Sequence, residues 1–308
     1  MNNSKQSLSN MQVDIGGIVL KNPVMAASGT FGYGEEYAQL VDLNSLGAIV
    51  VKGISLNPAS GNLPQRLVEV PNGLLNAIGL QNPGFDGFIR EHLPFLKQYN
   101  IPVIVNIWGR TVEEYVLLTQ KFSDVEGIHG LEINISCPNI KKGGIEFGTN
   151  PELMRRVISA VRAKTQLPII PKLSPNVPDI TEFAKIAQEC GANAISLINS
   201  VPAMAIDIET RRPALANITG GLTGSAIHPI AVRLVWQAAN AVSIPVIGMG
   251  GITSAKEALE FLIAGASAVA VGTATFIEPQ TMLHVIDGIS EYLLKHGMKD
   301  IKELIGSI

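Results

Sequence analysis

Short apolar runs recur along the chain, each leaving through a polar or glycine-bearing exit. They lie at Val24–Ala27, Ala48–Val51, Val103–Asn106, Leu131–Ile135, Ile169–Lys172, Ala194–Ile198, Val246–Gly248 and Ala268–Val271. Near-continuous apolar strands are what a parallel sheet covered on both faces requires. Helical patterns fill the intervals. Thr111-Val-Glu-Glu114 and Ser254-Ala-Lys-Glu257 both match the capping box, followed by apolar spacing at i, i+3 and i+4. Asn150-Pro151 pairs an N-cap with proline at the first helical position, and Leu153, Met154, Val157, Ile158 and Val161 form one stripe behind it. Thr181–Cys190, Ala231–Val242 and Phe276–Leu294 continue the series. Strands alternating with helices over roughly 250 residues predict the α/β class and a (β/α)8 TIM barrel.

The pattern also predicts what surrounds the barrel. Residues 1–10 read as a loose polar tail and residues 11–308 as a single domain. Val13 to Val19, turning on Gly16-Gly17, reads as an N-terminal hairpin plugging the barrel floor. Two connections, Ile54 to Gly84 and Asn199 to Gly224, exceed plain β/α loops and are expected as long loops over the C-terminal face. An open doubly wound sheet is the competing architecture, but no dinucleotide fingerprint follows the first strand.

Composition narrows the partners. The net charge of −3 carries no long like-charged run, which argues against a nucleic-acid or acidic-membrane partner. No apolar run reaches bilayer length, and no basic-apolar-small leader opens the sequence. Two cysteines, Cys137 and Cys190, exclude a disulfide scaffold and suit a reducing cytoplasm, the expected location.

The strand exits hold the candidate chemistry. In order they present Ser28, Lys52, Asn106, Asn134, Lys172, Asn199 with Ser200, Gly250 with Gly251, and Gly272 with Thr273. A core wants neither lysine at a strand end, because a buried ammonium without a partner is costly. The densest exit is Gly130 to Asn139, where Asn134, Ser136, Cys137 and Asn139 fall within six residues. The seventh and eighth exits, with Gly224 in Gly220-Gly-Leu-Thr-Gly224 adding a further amide, fit a phosphate site of backbone N–H groups. No Asp, Glu or His cluster has metal spacing, so no metal is expected. Lys52 and the asparagines suit a ligand with a carboxylate and a planar imide or ureide ring. Cys137 has no resident histidine and is a poor nucleophile, yet it can serve as a general base where the site favours its thiolate. Cys190, midway on an apolar helix face before Gly191, reads as core, and His228 before Pro229 as structural.

Taken together, Ala27-Ser-Gly29, Val51-Lys-Gly53, Asn76-Ala-Ile-Gly-Leu-Gln-Asn-Pro-Gly84, Asn134-Ile-Ser-Cys-Pro-Asn139, Pro171-Lys-Leu-Ser174, Gly220–Gly224, Gly250-Gly251 and Gly272-Thr273 resemble the class 1 dihydroorotate dehydrogenases of pyrimidine biosynthesis. The resemblance runs in order from about residue 12 to 290. It implies FMN across the barrel mouth, with its phosphate on Gly250, Gly251, Gly272 and Thr273. Ser28, Lys52, Gly53, Asn106, Asn134, Lys172, Ile198 and Gly224 would complete that site. It implies dihydroorotate held by Lys52, Asn76, Ala77, Ile78, Gly79, Leu80, Asn134, Asn139, Asn199 and Ser200, with Cys137 as the base and orotate as the product. Cysteine at the base position, and no amphipathic extension before it, separate the chain from the membrane-bound class. Ile140 to Gly148 looks like the type B enzymes, which hand electrons to NAD through a second subunit carrying FAD and a 2Fe-2S cluster. A homodimer, or a heterotetramer with two such subunits, follows from the resemblance. Trp108 departs from the smaller residue expected there and would alter the flavin surroundings. The alternatives are a fumarate-linked type A enzyme, a flavin barrel acting on another dihydropyrimidine, and a flavin-free phosphate-sugar barrel.

Overall fold

The structure, a computed structural model, describes residues 9–135 and 147–308. A two-stranded antiparallel ribbon, β1 (Val13–Asp14) and β2 (Val19–Leu20), turns on Gly16 and Gly17, both at positive φ. A Cβ on Gly16 would come within 2.2 Å of the Asn193 carbonyl oxygen, and one on Gly130 within 2.7 Å of Ile18. Both contacts lie where barrel strands begin, so the ribbon closes the N-terminal end, as the hairpin pattern predicts.

Eight parallel strands close the barrel. They are β3 (Val24–Ala26), β4 (Ala48–Ile54), β7 (Val103–Ile107), β8 (Gly130–Asn134), β9 (Ile169–Lys172), β10 (Ile195–Leu197), β15 (Val246–Met249) and β16 (Ala268–Val271), with β16 paired back onto β3. Every residue of β3 and β16 is buried, which is why these strands read as continuous apolar runs rather than alternating ones.

The outer layer follows the predicted pattern with local differences. The connection from β3 carries a 3-10 turn at Leu43–Ser45 in place of an α-helix. After β4 comes a helical segment that the apolar pattern conceals: α1 (Gly84–Gly87), one π-helical turn at Phe88–His92 and α2 (Leu93–Leu96). Gly84, Gly87 and Pro94 break its helical signature. Then come α3 (Val112–Ser123), α4 (Pro151–Arg162), α5 (Ile180–Glu189), α6 (His228–Ala239), α7 (Ala255–Ile263) and α8 (Thr281–Lys295). Ser254 makes the full capping box with Glu257. At Thr111 only half of it forms: Thr111 caps the N–H of Glu114, while the Glu114 carboxylate accepts the N–H of Arg110 instead. The last helix starts at Thr281 rather than Phe276, because Thr273–Phe276 winds as a 3-10 turn and Pro279 follows. Cys190 is buried at the C-cap of α5, not at mid-helix, with Gly191 beyond it at φ 85°.

The two long connections overhang the C-terminal face and carry short strands of their own. β5 (Leu67–Val70) and β6 (Gly73–Asn76) from the first join β11 (Val201–Ala203) and β14 (Gly220–Thr223) from the second. Together they form one antiparallel sheet ordered β11-β14-β6-β5. Pro71-Asn72 is the two-residue turn between β5 and β6, with Asn72 at φ 60°. A ribbon of β12 (Ile206–Asp207) and β13 (Arg212–Pro213) extends the second connection. Leu75, Ala77 and Leu215 form a small core of their own against this sheet. No helix among the described residues is long and apolar enough to cross a membrane.

Candidate active site

The sheet roofs a cavity of about 310 Å³ at the C-terminal mouth of the barrel. Of the residues singled out from sequence, Ser28, Lys52, Gly53, Asn76, Ile78, Gly79, Leu80, Asn106, Asn134, Lys172, Asn199 and Ser200 all line it. Ala77 does not: its side chain is fully buried in the small core, since neighbouring residues of an extended segment face opposite ways. Ile198 is buried and lies 3.5 Å from where a Gly250 Cβ would stand. Cys137 and Asn139 lie outside the described residues.

The glycines of the seventh and eighth exits are closely packed. Gly250 sits at φ 136° and Gly251 at φ 72°, and a Cβ on Gly251 would come within 2.9 Å of the Gly224 carbonyl oxygen. The three therefore meet as bare backbone. His228 braces them, with Nδ1 at 3.0 Å from the Gly250 oxygen and Nε2 at 3.0 Å from the Glu260 carboxylate, which gives this histidine the structural role expected of it. Gly272 and Thr273 follow β16, with Gly272 near Thr30 of the cavity wall.

Beneath the cavity, Glu132 and Ser196, which the exit pattern does not contain, join Ser28, Asn106, Asn134 and Lys172 in one polar cluster. Glu132, in the middle of β8, is 1% exposed. Its Oε2 accepts from Asn106 Nδ2 at 2.6 Å and from Ser28 Oγ at 3.0 Å, and its Oε1 accepts from Ser196 Oγ at 2.7 Å. Lys172 Nζ stands 3.9 Å from Oε2 and donates to Ser28 Oγ at 3.1 Å. Asn134 Nδ2 donates to Asn106 Oδ1 at 3.3 Å, and Tyr115 donates its hydroxyl to the Asn134 carbonyl oxygen at 2.7 Å. An acid inside an otherwise apolar strand was a legible signal in the sequence, because a buried carboxylate demands partners.

Lys52 contrasts with Lys172. Among the described residues its ammonium has no hydrogen bond or ion pair. Burial pushes its pKa down, the Arg66 guanidinium pushes it further, and Glu36 opposes them. Arg66, also absent from the sequence-based set, lines the cavity with its guanidinium held by the Asn62 carbonyl oxygen at 3.1 Å and Gln81 Oε1 at 2.6 Å. A desolvated cation with no ion pair or hydrogen bond among the described residues is poised for an anionic ligand. Among the described residues, no group of three His, Cys, Asp or Glu side chains could hold a metal ion.

Fold and site together define a β/α barrel that works at its C-terminal mouth, with three cations and several carboxamides converging on one roofed cavity. The family model for dihydroorotate dehydrogenase matches residues 10–293, and the chain belongs to the dihydroorotate dehydrogenase family. The chain is 55% identical over 299 residues to the dihydroorotate dehydrogenase B (NAD(+)) catalytic subunit of Thermoanaerobacter pseudethanolicus, spanning 97% of this chain and 99% of that protein. It is 54% identical over 298 residues to the protein of the same name from Geotalea uraniireducens, spanning 97% and 98%. The Geobacter metallireducens protein of that name is likewise 54% identical over 298 residues, spanning 97% and 98%. These names agree with the type B resemblance.

Proposed function

We propose that the chain oxidises dihydroorotate to orotate in pyrimidine biosynthesis, as the FMN-binding catalytic subunit of an NAD-linked enzyme. The reading is supported above all by the convergence of Lys52, Asn76, Asn134, Asn199 and Ser200 on one cavity, in a chain of this family. Lys52 meets the substrate carboxylate, which relieves its uncompensated desolvation. The carboxamides of Asn76, Asn134, Asn139 and Asn199, with the Ser200 hydroxyl and the backbone from Ala77 to Leu80, orient the ureide ring through paired donors and acceptors. Cys137 takes the proton from C5, a role that rests on the motif Asn134-Ile-Ser-Cys-Pro-Asn139.

The chain's donor set suits a flavin. Lys172 and Lys52 bring positive charge to the cavity, and the bare backbone of Gly224, Gly250 and Gly251 leaves no room for a Cβ, as a phosphate cradle requires. Gly250, Gly251, Gly272 and Thr273 would hold the phosphate. Ser28, Lys52, Gly53, Asn106, Asn134, Lys172, Ile198 and Gly224 would hold the rest, with Lys172 favouring negative charge on the ring. A bound FMN would supply the acceptor for the hydride from C6 of dihydroorotate.

Passing electrons on to NAD requires a partner subunit carrying FAD and a 2Fe-2S cluster, since two cysteines are too few for a four-thiolate site here. A heterotetramer built on a homodimer of this chain, in the cytoplasm, completes the proposal.

The visible spectrum of the purified chain, before and after anaerobic dihydroorotate, tests it. Yellow protein that bleaches is the expected result. Yellow protein that stays oxidised with dihydroorotate but bleaches with another dihydropyrimidine moves the substrate, and colourless protein that cannot take up FMN overturns the flavin.

A further inference from the structure

Glu132 has no part in the proposed chemistry, yet it is the most connected polar side chain beneath the cavity. It is reached from four directions: Ser28 after β3, Asn106 on β7, Lys172 on β9 and Ser196 on β10. A carboxylate offers only acceptors, so each neighbour has to turn a donor toward it. Asn106 therefore points its NH2 inward, at 2.6 Å, and its Oδ1 outward to the Nδ2 of Asn134 at 3.3 Å. Ser28 spends its proton on Glu132 at 3.0 Å, which leaves its lone pairs to receive Lys172 at 3.1 Å. One carboxylate so dictates the polarity of Ser28 and Asn106 and, through Asn106, of Asn134.

Stability does not account for it. Replacing a buried ion pair by apolar side chains is often neutral or stabilising, so a charge kept at 1% exposure inside a strand serves something else. We propose that Glu132 is a positioning residue: it locks Ser28, Asn106 and Asn134 in a single donor–acceptor orientation and supplies the countercharge that tempers Lys172. This rests on the FMN reading above. The carboxylate's negative charge, 3.9 Å from Lys172, lowers the bias of the site toward added electron density and so lowers the reduction potential of a flavin bound there.

The test uses the FMN-loaded chain and compares Glu132→Gln, nearly isosteric but neutral, with Ser196→Ala, which removes one donor and keeps the carboxylate. The midpoint potential of the bound flavin is expected to move to more positive values in Glu132→Gln and to stay near the parent value in Ser196→Ala. kcat is expected to fall at least tenfold in Glu132→Gln with a smaller change in KM. Equal potentials in the parent and Glu132→Gln, or equal shifts in both variants, would overturn the proposal, the second outcome assigning the effect to packing. Glu132→Gln combined with Asn106→Asp returns one carboxylate to the 2.6 Å contact. Its potential is expected to return toward the parent value, and failure to do so counts against the countercharge. The orientation claim is read without flavin: in asparagine-labelled apoprotein the side-chain amide resonances of Asn106 and Asn134 should shift more in Glu132→Gln than in Ser196→Ala, and equal shifts refute it. A parent chain that takes up no FMN counts against the proposed function, whereas the amide resonances judge the orientation of Asn106 and Asn134 in either case.

Discussion

Asn76 donates its side-chain amide to the main-chain oxygen of Gly221 at 3.0 Å, and the two residues are also register partners between β6 and β14. They stand 145 residues apart in the chain, so this bond joins the two excursions into one roof. Asn76→Ala should loosen the β6–β14 edge, with a net loss of about 0.5–1.5 kcal/mol for a hydrogen bond of this kind. KM for dihydroorotate should rise more than kcat falls, and amide exchange should accelerate at Gly220–Thr223. Unchanged KM and exchange would mean that the roof is held without this bond.

Cys137→Ala should reduce dihydroorotate oxidation by roughly 100- to 10,000-fold, the usual worth of a general base, while bound flavin is retained. Stopped-flow reduction of the flavin by dihydroorotate checks this, and an undiminished rate would remove Cys137 from the base position.

Gly250→Asp should abolish FMN retention. A side chain there would begin 2.7 Å from the Ala231 Cβ, at φ 136°, and would set a carboxylate against a phosphate. Flavin content per chain after gel filtration is the readout. Normal content would move the phosphate site elsewhere.

Lys52→Met should separate stability from function. Burial lowers the pKa of Lys52 on folding, so the charged form is the disfavoured one in the folded chain. That cost is fully present below the folded value and fades as pH rises toward lysine's ordinary value. Lys52→Met should therefore melt at or above the parent temperature at neutral pH, with the difference narrowing in alkaline buffer. KM for dihydroorotate should rise about 10- to 100-fold, the equivalent of losing ~1.5–3 kcal/mol in a hydrogen bond to a charged group. A parallel loss of stability and binding would instead make Lys52 a structural residue.

Phe122→Ala should cost ~3–5 kcal/mol, typical of a buried aromatic truncated in a packed core. Its ring, fully buried on α3, meets Phe85 and Phe88 edge-on at centroid distances of 4.8 and 6.0 Å, and so ties the helical segment after β4 to its neighbour. Chemical denaturation measures the loss, and a cost below about 1 kcal/mol would show that this segment is not part of the cooperative core.

The barrel was legible because burial on both faces imposes a local rule: each strand must be apolar throughout and must leave through a polar exit. Val24–Ala26 and Ala268–Val271 obey it residue by residue. The convergence of Lys52, Asn106, Asn134 and Lys172 was legible for the same reason, since parallel strands deliver their C-terminal ends to one face. The roof was not. Leu67–Val70 and Gly220–Thr223 are short and become strands only through partners remote in the chain, so no window of sequence contains the bonds that define them. Ala77 turned into its own small core while Ile78 faced the cavity, an alternation set by how that roof lies on the barrel. Glu132 announced itself as an acid in an apolar strand, but its meaning waited for closure of the barrel. Local hydrophobic periodicity determines the elements and their exits; which donors surround one buried carboxylate depends on the register among four other strands, and only the tertiary structure sets that.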